Sequence, residues 1–593
     1  MAAILALRAG AAPVPPAPSE RIRADVARLA GEEWQGRRAG TEGADRAADW
    51  IAQAFLAAGL EPAGEKGSFF QPFTFIDGVT LGSGNRLRTV AAGAARAWKP
   101  GLDFRPLAFS SAGSVEGPVV FAGYGISSKD LGRDDYAGVE VAGCVALALR
   151  YGPEGDDPQS RWAAFTALRF KAASARDHGA AALLVVTGPR TPDVKDELVP
   201  LRADASLVDA GLPVLSVTRA VAESLGADLD SLQKAADEAG RPAPEALPKG
   251  SVELVADVSP HRSTTRNVAG LLRGRDPAAG VIVVGAHYDH LGLGMSGSLD
   301  PAPEGKVHHG ADDNASGVAG LLELARRLRS RPGRLDRDVA FVAFGAEEEG
   351  ALGSSHFVKQ PTLPLASITA MLNMDMIGRL RGNTLDVHGV GSSPALRPLV
   401  EEAGRGAGLE LKLREGGYGP SDHSPFYAAG KPVLFFFTGA HADYHRPSDT
   451  ADKIDAPGIA RVISVAEAVV AGLAQSSRSS VTFTRVPADK EMPSSGSPSG
   501  GLKTFVGGIP DYSEETAGVK LSGVMPGSPA EKAGLQAGDV IVRFGEKEIR
   551  NIYDYTYALQ ARKPGERVSL VVKRGSTELG LEVTLGTRSA GPR

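Results

Sequence analysis

The sequence predicts an α/β fold with a mixed, largely parallel sheet sandwiched by helices. Four short apolar runs lack polar alternation, which is typical of parallel strands covered on both faces. They lie at 281–284, 339–344, 368–372 and 433–437. Between the first two runs, apolar residues recur at helical spacing and predict an amphipathic helix. Its inner face consists of Val318, Leu321, Leu322, Ala325 and Leu328.

Two other patterns precede this sheet. A helix is predicted after Gly40-Thr41-Glu42-Gly43 and ends at Gly59. Its inner face is Ala47, Trp50, Ile51, Ala54, Phe55 and Ala58. From about 105 to 249 the pattern changes to short strands with one helix around 165–178. This second pattern predicts a β-rich insert, and it carries no metal-binding or nucleophile motif.

Metal-binding side chains follow the apolar runs one after another. His287, Glu348, Asp375 and His445 each come shortly after one predicted strand. Asp313 lies instead in a turn that opens the predicted helix, with Asn314 or Ser316 as its cap. Because ligands of open α/β sheets bind outside the carboxyl ends of the strands, we expect these side chains to lie close together.

The five residues match the ligand requirement of a dinuclear site. Two hydrolytic zinc ions about 3.5–4 Å apart need a bridging carboxylate, plus a nitrogen and a carboxylate for each ion. Two histidines and three acids meet this requirement, and the adjacent glutamates 347 and 348 supply both a ligand and a base. On physical grounds, either Asp312 or Asp313 can be the bridge.

The motifs around these residues resemble those of the co-catalytic di-zinc aminopeptidases, metallopeptidase family twenty-eight of clan MH. The matching motifs are His287-Tyr288-Asp289, Gly310 to Gly317, Gly345 to Gly350, Asn373 to Gly378 and Tyr444-His445. The resemblance covers the chain before 105 and from 250 to 475. It implies a zinc-exopeptidase sheet and two Zn²⁺ ions per chain.

The resemblance also implies how the metals are held. His287 and Asp375 would bind one zinc, Glu348 and His445 the other, and Asp313 would bridge them. In that family pattern the bridge is the second acid of its pair, which favours Asp313 over Asp312.

The remaining roles follow from the same resemblance. Asp289 would orient His287, because a ligating imidazole usually donates its other N–H to a carboxylate. Glu347 would be the general base that takes a proton from the attacking water and passes it to the leaving amine. Tyr444 would donate a hydrogen bond to the oxyanion.

Further resemblances complete the predicted domain organisation. The insert resembles a protease-associated domain, which either restricts entry to the cleft or acts as a passive spacer. Gly518 to Leu521, Gly527 to Leu535 and Ala537 to Ile541 resemble a PDZ domain, which binds extended chain ends at a sheet edge. The predicted divisions are a signal remnant at 1–18, peptidase domain at 19–104 and 250–478, insert at 105–249, linker at 479–501 and PDZ domain at 502–588.

The predicted function is zinc-dependent hydrolysis of the N-terminal peptide bond of peptides. A single-zinc glutaminyl-cyclase-like or carboxypeptidase-like enzyme is an alternative, because it shares many of these side chains. An inactive receptor that presents peptides is a second alternative. The intact ligand set argues against the receptor, since burying several acids without a metal is costly.

Composition excludes some partners. The formal net charge is −5 with no basic cluster, which makes nucleic acid an unfavoured partner. No apolar run near the length of a membrane span is predicted. Cys144 is the single cysteine, so no intramolecular disulfide forms. The Ala/Pro-rich segment 1–18 and the family resemblance together predict a periplasmic or secreted protein.

Overall fold

The computed structural model describes most of the chain. The described residues are 16–128, 131–157, 160–191, 194–201, 209–238, 247–294, 297–475, 481–487, 504–511 and 516–587. Most of the predicted signal remnant and most of the predicted linker lie outside these residues. Both therefore stay predictions.

The strands fall into three groups along the chain. The first group is β1 (Glu61–Pro62), β2 (Phe70–Leu81), β3 (Arg86–Ala91), β4 (Ala94–Ala97), β5 (Phe104–Pro106), β6 (Gly113–Phe121), β7 (Ser127–Ser128), β8 (Arg133–Asp134), β9 (Val145–Leu149), β10 (Ala182–Val186), β11 (Val214–Val217), β12 (Ser251–Ala256) and β13 (Val258–Leu272). The second is β14 (Val281–His287), β15 (Asp338–Phe344), β16 (Ile368–Met374), β17 (Thr384–His388), β18 (Glu410–Leu413) and β19 (Val433–Phe437). The third is β20 (Thr504–Phe505), β21 (Gly508–Pro510), β22 (Val519–Val524), β23 (Val540–Phe544), β24 (Lys547–Glu548), β25 (Arg567–Arg574), β26 (Thr577–Thr584) and β27 (Gly586–Thr587).

The α-helices are distributed over the same three regions. They are α1 (Pro18–Leu29), α2 (Glu42–Ala57), α3 (Leu168–Asp177), α4 (Arg219–Glu223), α5 (Leu229–Asp237), α6 (Gly317–Ser330), α7 (Leu352–Lys359), α8 (Leu396–Ala407), α9 (His423–Ala428), α10 (Ala456–Gln475), α11 (Pro529–Lys532) and α12 (Ile552–Gln560). Each predicted strand and helix of residues 281–437 is present. Ser316 is the N-cap residue of α6, and Oδ1 of Asn314 accepts the backbone N–H of Gly317, the first residue of the helix, at 3.0 Å.

Nine of the described strands form the sheet that carries the predicted ligands. Their order is β1-β13-β15-β14-β16-β19-β17-β18, with β2 also paired to β13. The central strand β14 runs parallel to β15 and β16, and β16 runs parallel to β19. Antiparallel pairs at β13 with β15 and at β17 with β19 make the sheet mixed. The predicted fold class is therefore confirmed.

Helices cover both faces of this sheet. One apolar core includes side chains of α1, α2, α6, α8 and α10, such as Ile22, Phe55, Leu322 and Ile459. The opposite face packs against α7 and α9 through Phe357 and Phe426. Because both faces are covered, every residue of β14, β15 and β16 is buried. This burial explains why these strands read as uninterrupted apolar runs.

Eight further strands form a second sheet, in the order β4-β3-β12-β6-β9-β10-β11-β5. It contains the predicted strands of the insert, but β3 and β4 precede residue 105 and β12 follows residue 249. The predicted boundaries therefore fall inside this sheet. The long strands β2 and β13 pair antiparallel, and in the chain β2 is followed by β3 and β13 is preceded by β12, both of the second sheet.

The C-terminal sheet, β21-β22-β23-β25-β26, encloses its own apolar core with α11 and α12. It contacts both other regions. Arg176 of α3 forms an ion pair with Asp554 of α12 at 2.9 Å, and the Asp554 side chain is only 1% exposed. Lys359 of α7 contacts Asp511 at 2.8 Å. The C-terminal region is therefore packed against the rest of the chain at two separate places.

Helix α10 departs from the prediction about apolar runs. Among the described helices, it has the length and apolarity of a membrane span. The prediction that no such run exists was therefore wrong. In this fold 61% of its most apolar window is buried, and it packs against α1, α6 and α8 as a core helix does.

Candidate metal centre

The five predicted metal ligands lie together at the carboxyl edge of the nine-stranded sheet. His287 ends β14, Asp375 directly follows β16, and Glu348 and His445 lie in loops after β15 and β19. Nε2 of His287 lies 3.4 Å from Oδ1 of Asp375, and Nε2 of His445 lies 3.1 Å from Oε2 of Glu348. Each histidine is therefore paired with the acid that the resemblance assigned to the same zinc.

Asp313 lies between the two histidines. Its Oδ1 is 3.3 Å from Nε2 of His287, and its Oδ2 is 3.3 Å from Nε2 of His445. Burial alone would raise the pKa of the Asp313 carboxyl, but its interactions with His287, His445 and His290 outweigh burial and hold that pKa well below its usual value. The carboxylate thus presents one oxygen to each half of the cluster.

Asp312 has different partners, although it is the neighbouring residue. Its Oδ1 accepts the backbone N–H of Gly378 at 2.6 Å, and its Oδ2 lies 3.1 Å from Nε2 of His441. Both oxygens are engaged away from His287 and His445. Of the two acids that were equivalent on physical grounds, Asp313 is the one placed to bridge.

The donor atoms have the spacing that zinc requires. Ligands at about 2.0–2.1 Å from a tetrahedral zinc lie roughly 3.3 Å from one another. The four nitrogen-to-oxygen distances around Asp313, Asp375 and Glu348 are 3.1 to 3.4 Å. Nε2 of His287 and Oδ1 of Asp375 are buried without a hydrogen-bond partner among the described residues. A bound cation would satisfy both atoms, so the residues fit the metal.

Glu347 lies beside this cluster. Its Oε2 is 3.8 Å from Nε2 of His287, and its side chain is 13% exposed. Burial, followed by the negative charges of Asp422, Asp375 and Glu348, raises the pKa of the Glu347 carboxyl well above its usual value. A carboxylate with a raised pKa holds a proton more readily, as a general base requires.

The carboxylate of Asp289 has different hydrogen-bond partners from the predicted one, His287. Its carboxylate is 3.8 Å from Nδ1 of His287, whereas the backbone carbonyl of Asp289 is at 3.2 Å. The carboxylate oxygens instead accept the backbone N–H groups of Glu347 and Glu348 at 3.0 and 3.2 Å. Asp289 therefore orients the two glutamates with its side chain and faces His287 with its main chain.

Tyr444 lies beside the second histidine of the cluster, His445. Their rings stack with centroids 3.8 Å apart, and Nδ1 of His445 donates to the carbonyl oxygen of Gly297 at 2.8 Å. This hydrogen bond turns Nε2 towards Asp313 and Glu348. Burial and the charges of Asp313, Glu348, Glu347 and Asp375 raise the pKa of Tyr444, so its hydroxyl keeps its proton.

Three nearby residues were not assigned to the centre from the sequence. Nδ1 of His290 donates to Oε1 of Glu348 at 2.7 Å, and His290, Asp313 and Glu348 form a second group with metal-ligand spacing. The Ser421 hydroxyl donates to Oδ2 of Asp375 at 2.8 Å. His309, which immediately precedes the turn of Asp313, faces away, with Nδ1 at 2.9 Å from the carbonyl of Ala30.

Asp449 holds the turn that carries Asp313. One of its oxygens accepts the backbone N–H groups of Asp312 and Asp313 at 2.8 and 3.1 Å, and the other accepts from Arg379 at 3.0 Å. Its side chain is fully buried. These hydrogen bonds fix the loop that carries Asp313.

Replacing Asp449 with asparagine is expected to weaken metal binding by about 10–100-fold, because an amide cannot accept from both loops. The same change is expected to cost about 3 kcal/mol of stability, since it leaves Arg379 without its buried partner. Chelator competition and thermal unfolding measure the two effects. Asp443→Asn is the matched control, because Asp443 also contacts Arg379, at 3.4 Å, but is 21% exposed. Equal metal affinity in the two variants would contradict the role of Asp449.

Two known sequence profiles match parts of this chain. The sequence profile described as "Peptidase family M28" matches residues 267–470, and the profile of the PDZ domain matches residues 521–574. The aminopeptidase YwaD of Bacillus subtilis (strain 168) is 30% identical over 299 residues, which are 48% of this chain and 55% of that protein. The aligned part thus spans about half the length of this curated relative.

Two other proteins are similar over a longer part of the chain. An aminopeptidase of Pseudomonas aeruginosa is 29% identical over 428 residues, covering 68% of this chain and 67% of the relative. The structure of an aminopeptidase from Aneurinibacillus sp. strain AM-1 is 24% identical, covers 76% of this chain and 93% of that one, and superposes with a TM-score of 0.46. The five predicted ligands all lie in the part matched by the peptidase profile. A match to peptidase family M28 is therefore found at residues 267–470, and a PDZ domain at residues 521–574.

Proposed function

We propose that this protein is a zinc-dependent aminopeptidase with two zinc ions per chain. The observation that carries the proposal is the position of Asp313, whose two oxygens each lie 3.3 Å from a different histidine. The match of residues 267–470 to the family M28 profile supports the same activity, as do the names of the two curated relatives, both aminopeptidases.

In this proposal His287, Asp375 and Asp313 would hold one zinc, and His445, Glu348 and Asp313 would hold the other. When bound, the zinc ions act as Lewis acids that polarise the scissile carbonyl and make water a stronger nucleophile. The chain's own contribution is to fix the ligands. Ser421 orients Asp375, and Asp289 orients Glu348 through its backbone N–H.

Glu347 moves the proton. Its carboxylate takes a proton from the attacking water at Oε2, the oxygen nearest His287. It then delivers that proton to the amine that leaves when the peptide bond breaks. The Asp289 carboxylate keeps Glu347 in place by accepting its backbone N–H at 3.0 Å.

Tyr444 stabilises the oxyanion. Its hydroxyl stays protonated beside the acids of the cluster, so it is able to donate a hydrogen bond to the oxygen that becomes negative in the transition state. The stacked ring of His445 restricts the orientation of the tyrosine ring.

We further propose that the PDZ domain binds the carboxyl end of a peptide or protein. Strand β21 lies at one edge of its sheet and pairs with β22. An extended chain end is therefore able to add along the open edge of β21.

A panel of peptides with free and blocked amino ends tests the activity. The proposal expects hydrolysis of amino-acid anilides and of peptides with a free amino end, loss of activity with a chelator, and recovery with zinc. Acetylation of the amino end should reduce turnover strongly. Cyclisation of an N-terminal glutamine, or release of residues from the carboxyl end, would instead support one of the two enzyme alternatives.

A further inference from the structure

We propose that Arg37 is a positioning residue that holds the two metal-ligand loops against each other. Arg37 lies 250 positions before His287, in a segment that carries no predicted site residue. This proposal rests on the proposed metal centre, and it names a structural requirement of that centre.

The Arg37 guanidinium donates to the main chain of both loops. Its Nε donates to the carbonyl oxygen of Tyr288 at 2.9 Å, and its Nη2 donates to that of Gly310 at 3.0 Å. Its Nη1 donates to the carbonyls of His309, at 2.9 Å, and Leu29. Tyr288 directly follows the ligand His287, and Gly310 opens the turn that carries Asp313. One side chain therefore connects a ligand of the first zinc with the bridging acid.

The backbone of the same segment is fitted against the first loop. The N–H of His290 donates to the carbonyl of Arg37 at 3.3 Å, and that of Gly292 donates to the carbonyl of Gly36 at 3.0 Å. A Cβ atom on Gly36 would lie 2.6 Å from the carbonyl oxygen of His308 and collide with Gly292, so only glycine fits there. Arg37 itself has φ 49°, in the left-handed region. This conformation is strained for a non-glycine residue, and such strain is often found at functional sites.

The charge of Arg37 also matches its position. The side chain is fully buried, and the acids that interact with its charge are Asp289, Asp313, Asp449 and Glu348. Burial lowers the pKa of the guanidinium to about 10, so it stays protonated at neutral pH. A buried cation reduces the repulsion between carboxylates that must lie close together before and after metal binds.

Another buried arginine, Arg337, is a control for a purely structural role. Arg337 is 1% exposed and also donates to main-chain carbonyls, those of Ala279 at 2.9 Å and Leu473. Ala279 precedes β14, whereas the ligand His287 ends that strand. The length of β14, about 20 Å, therefore separates Arg337 from the ligands. Removing either arginine leaves buried carbonyls without donors, but only Arg37 contacts the metal loops.

The test compares Arg37→Met and Arg37→Lys with Arg337→Met in the full-length protein. Zinc affinity is measured by chelator competition, and Tm is measured with and without zinc. Arg37→Met is expected to lower zinc affinity by about 10–100-fold, the usual effect of losing a group that orients metal ligands. Arg37→Lys keeps the charge without the planar fork, so it should recover part of this affinity. Arg337→Met should lower Tm but leave zinc affinity within twofold of the wild type.

Three outcomes would overturn the inference. Wild-type zinc affinity in both Arg37 variants would show that the guanidinium does not position the loops. An equal loss of affinity in Arg337→Met would assign the effect to general destabilisation. A wild-type protein that binds no zinc would remove the proposed metal centre itself, and with it the role of Arg37. If Arg37→Met does not fold, Arg37→Lys decides between the first outcome and the expected one.

Discussion

The Glu347→Gln variant is expected to bind both zinc ions with wild-type affinity and to lose roughly 10³-fold in kcat. Glutamine has nearly the same shape as glutamate, and its backbone N–H still donates to Asp289. It has no carboxylate to accept the proton of the attacking water. The expected loss therefore appears in kcat, whereas metal content stays at the wild-type value.

Glu349→Gln is the matched control for this variant. Glu349 is the third acid in the same motif, but its carboxylate contacts Arg38 at 3.4 Å and is 24% exposed. We expect kcat within about threefold of the wild type, since this contact lies outside the metal cluster. Steady-state kinetics and metal analysis on the same preparations measure both variants. Undiminished hydrolysis by Glu347→Gln would refute the assignment of the base.

Asp313→Asn is expected to have an even larger effect on the metal centre. The carboxylate offers one oxygen to each half of the cluster, while an asparagine offers only one oxygen and one NH₂ group. The NH₂ group would face a zinc ion with no lone pair to bind it. We therefore expect at least one of the two zinc ions to be lost at micromolar concentration, and activity to fall with it.

Asp312→Asn provides the comparison for the bridging acid. This residue is equally buried but contacts Gly378 and His441, so the substitution is expected to reduce stability and retain both metal ions. Metal content by mass spectrometry of the native protein distinguishes the two variants. If Asp312→Asn loses zinc and Asp313→Asn keeps it, the assignment of the bridge is reversed.

The sequence predicted which side chains lie together at this site better than it predicted the contacts that support them. His287, Glu348, Asp375 and His445 follow buried strands, and parallel topology brings such positions to one edge of the sheet. The proposed bridging role was ambiguous between Asp312 and Asp313 in the sequence, because adjacent residues differ only in where the turn points their side chains. The hydrogen bonds of each carboxylate distinguish them in the structure.

The contacts that support the site join residues that lie far apart in the sequence, and hydrophobic periodicity does not reveal such contacts. Arg37 lies in an irregular segment far from the ligands in sequence, and its partners are main-chain carbonyls, which leave no pattern of residue types. The side chain of Asp289 reaches the glutamates after the neighbouring strand, rather than the adjacent His287. In the same way, β3 and β12 join the second sheet through long-range pairing, which local sequence does not encode.

Anomalous diffraction at the zinc edge from crystals of the purified protein tests the central claim most directly. The account predicts two zinc peaks per chain, about 3.5–4 Å apart, with opposite oxygens of Asp313 bonded to the two ions. A single peak, or peaks held by other residues with Asp313 bound to neither, would contradict the dinuclear centre.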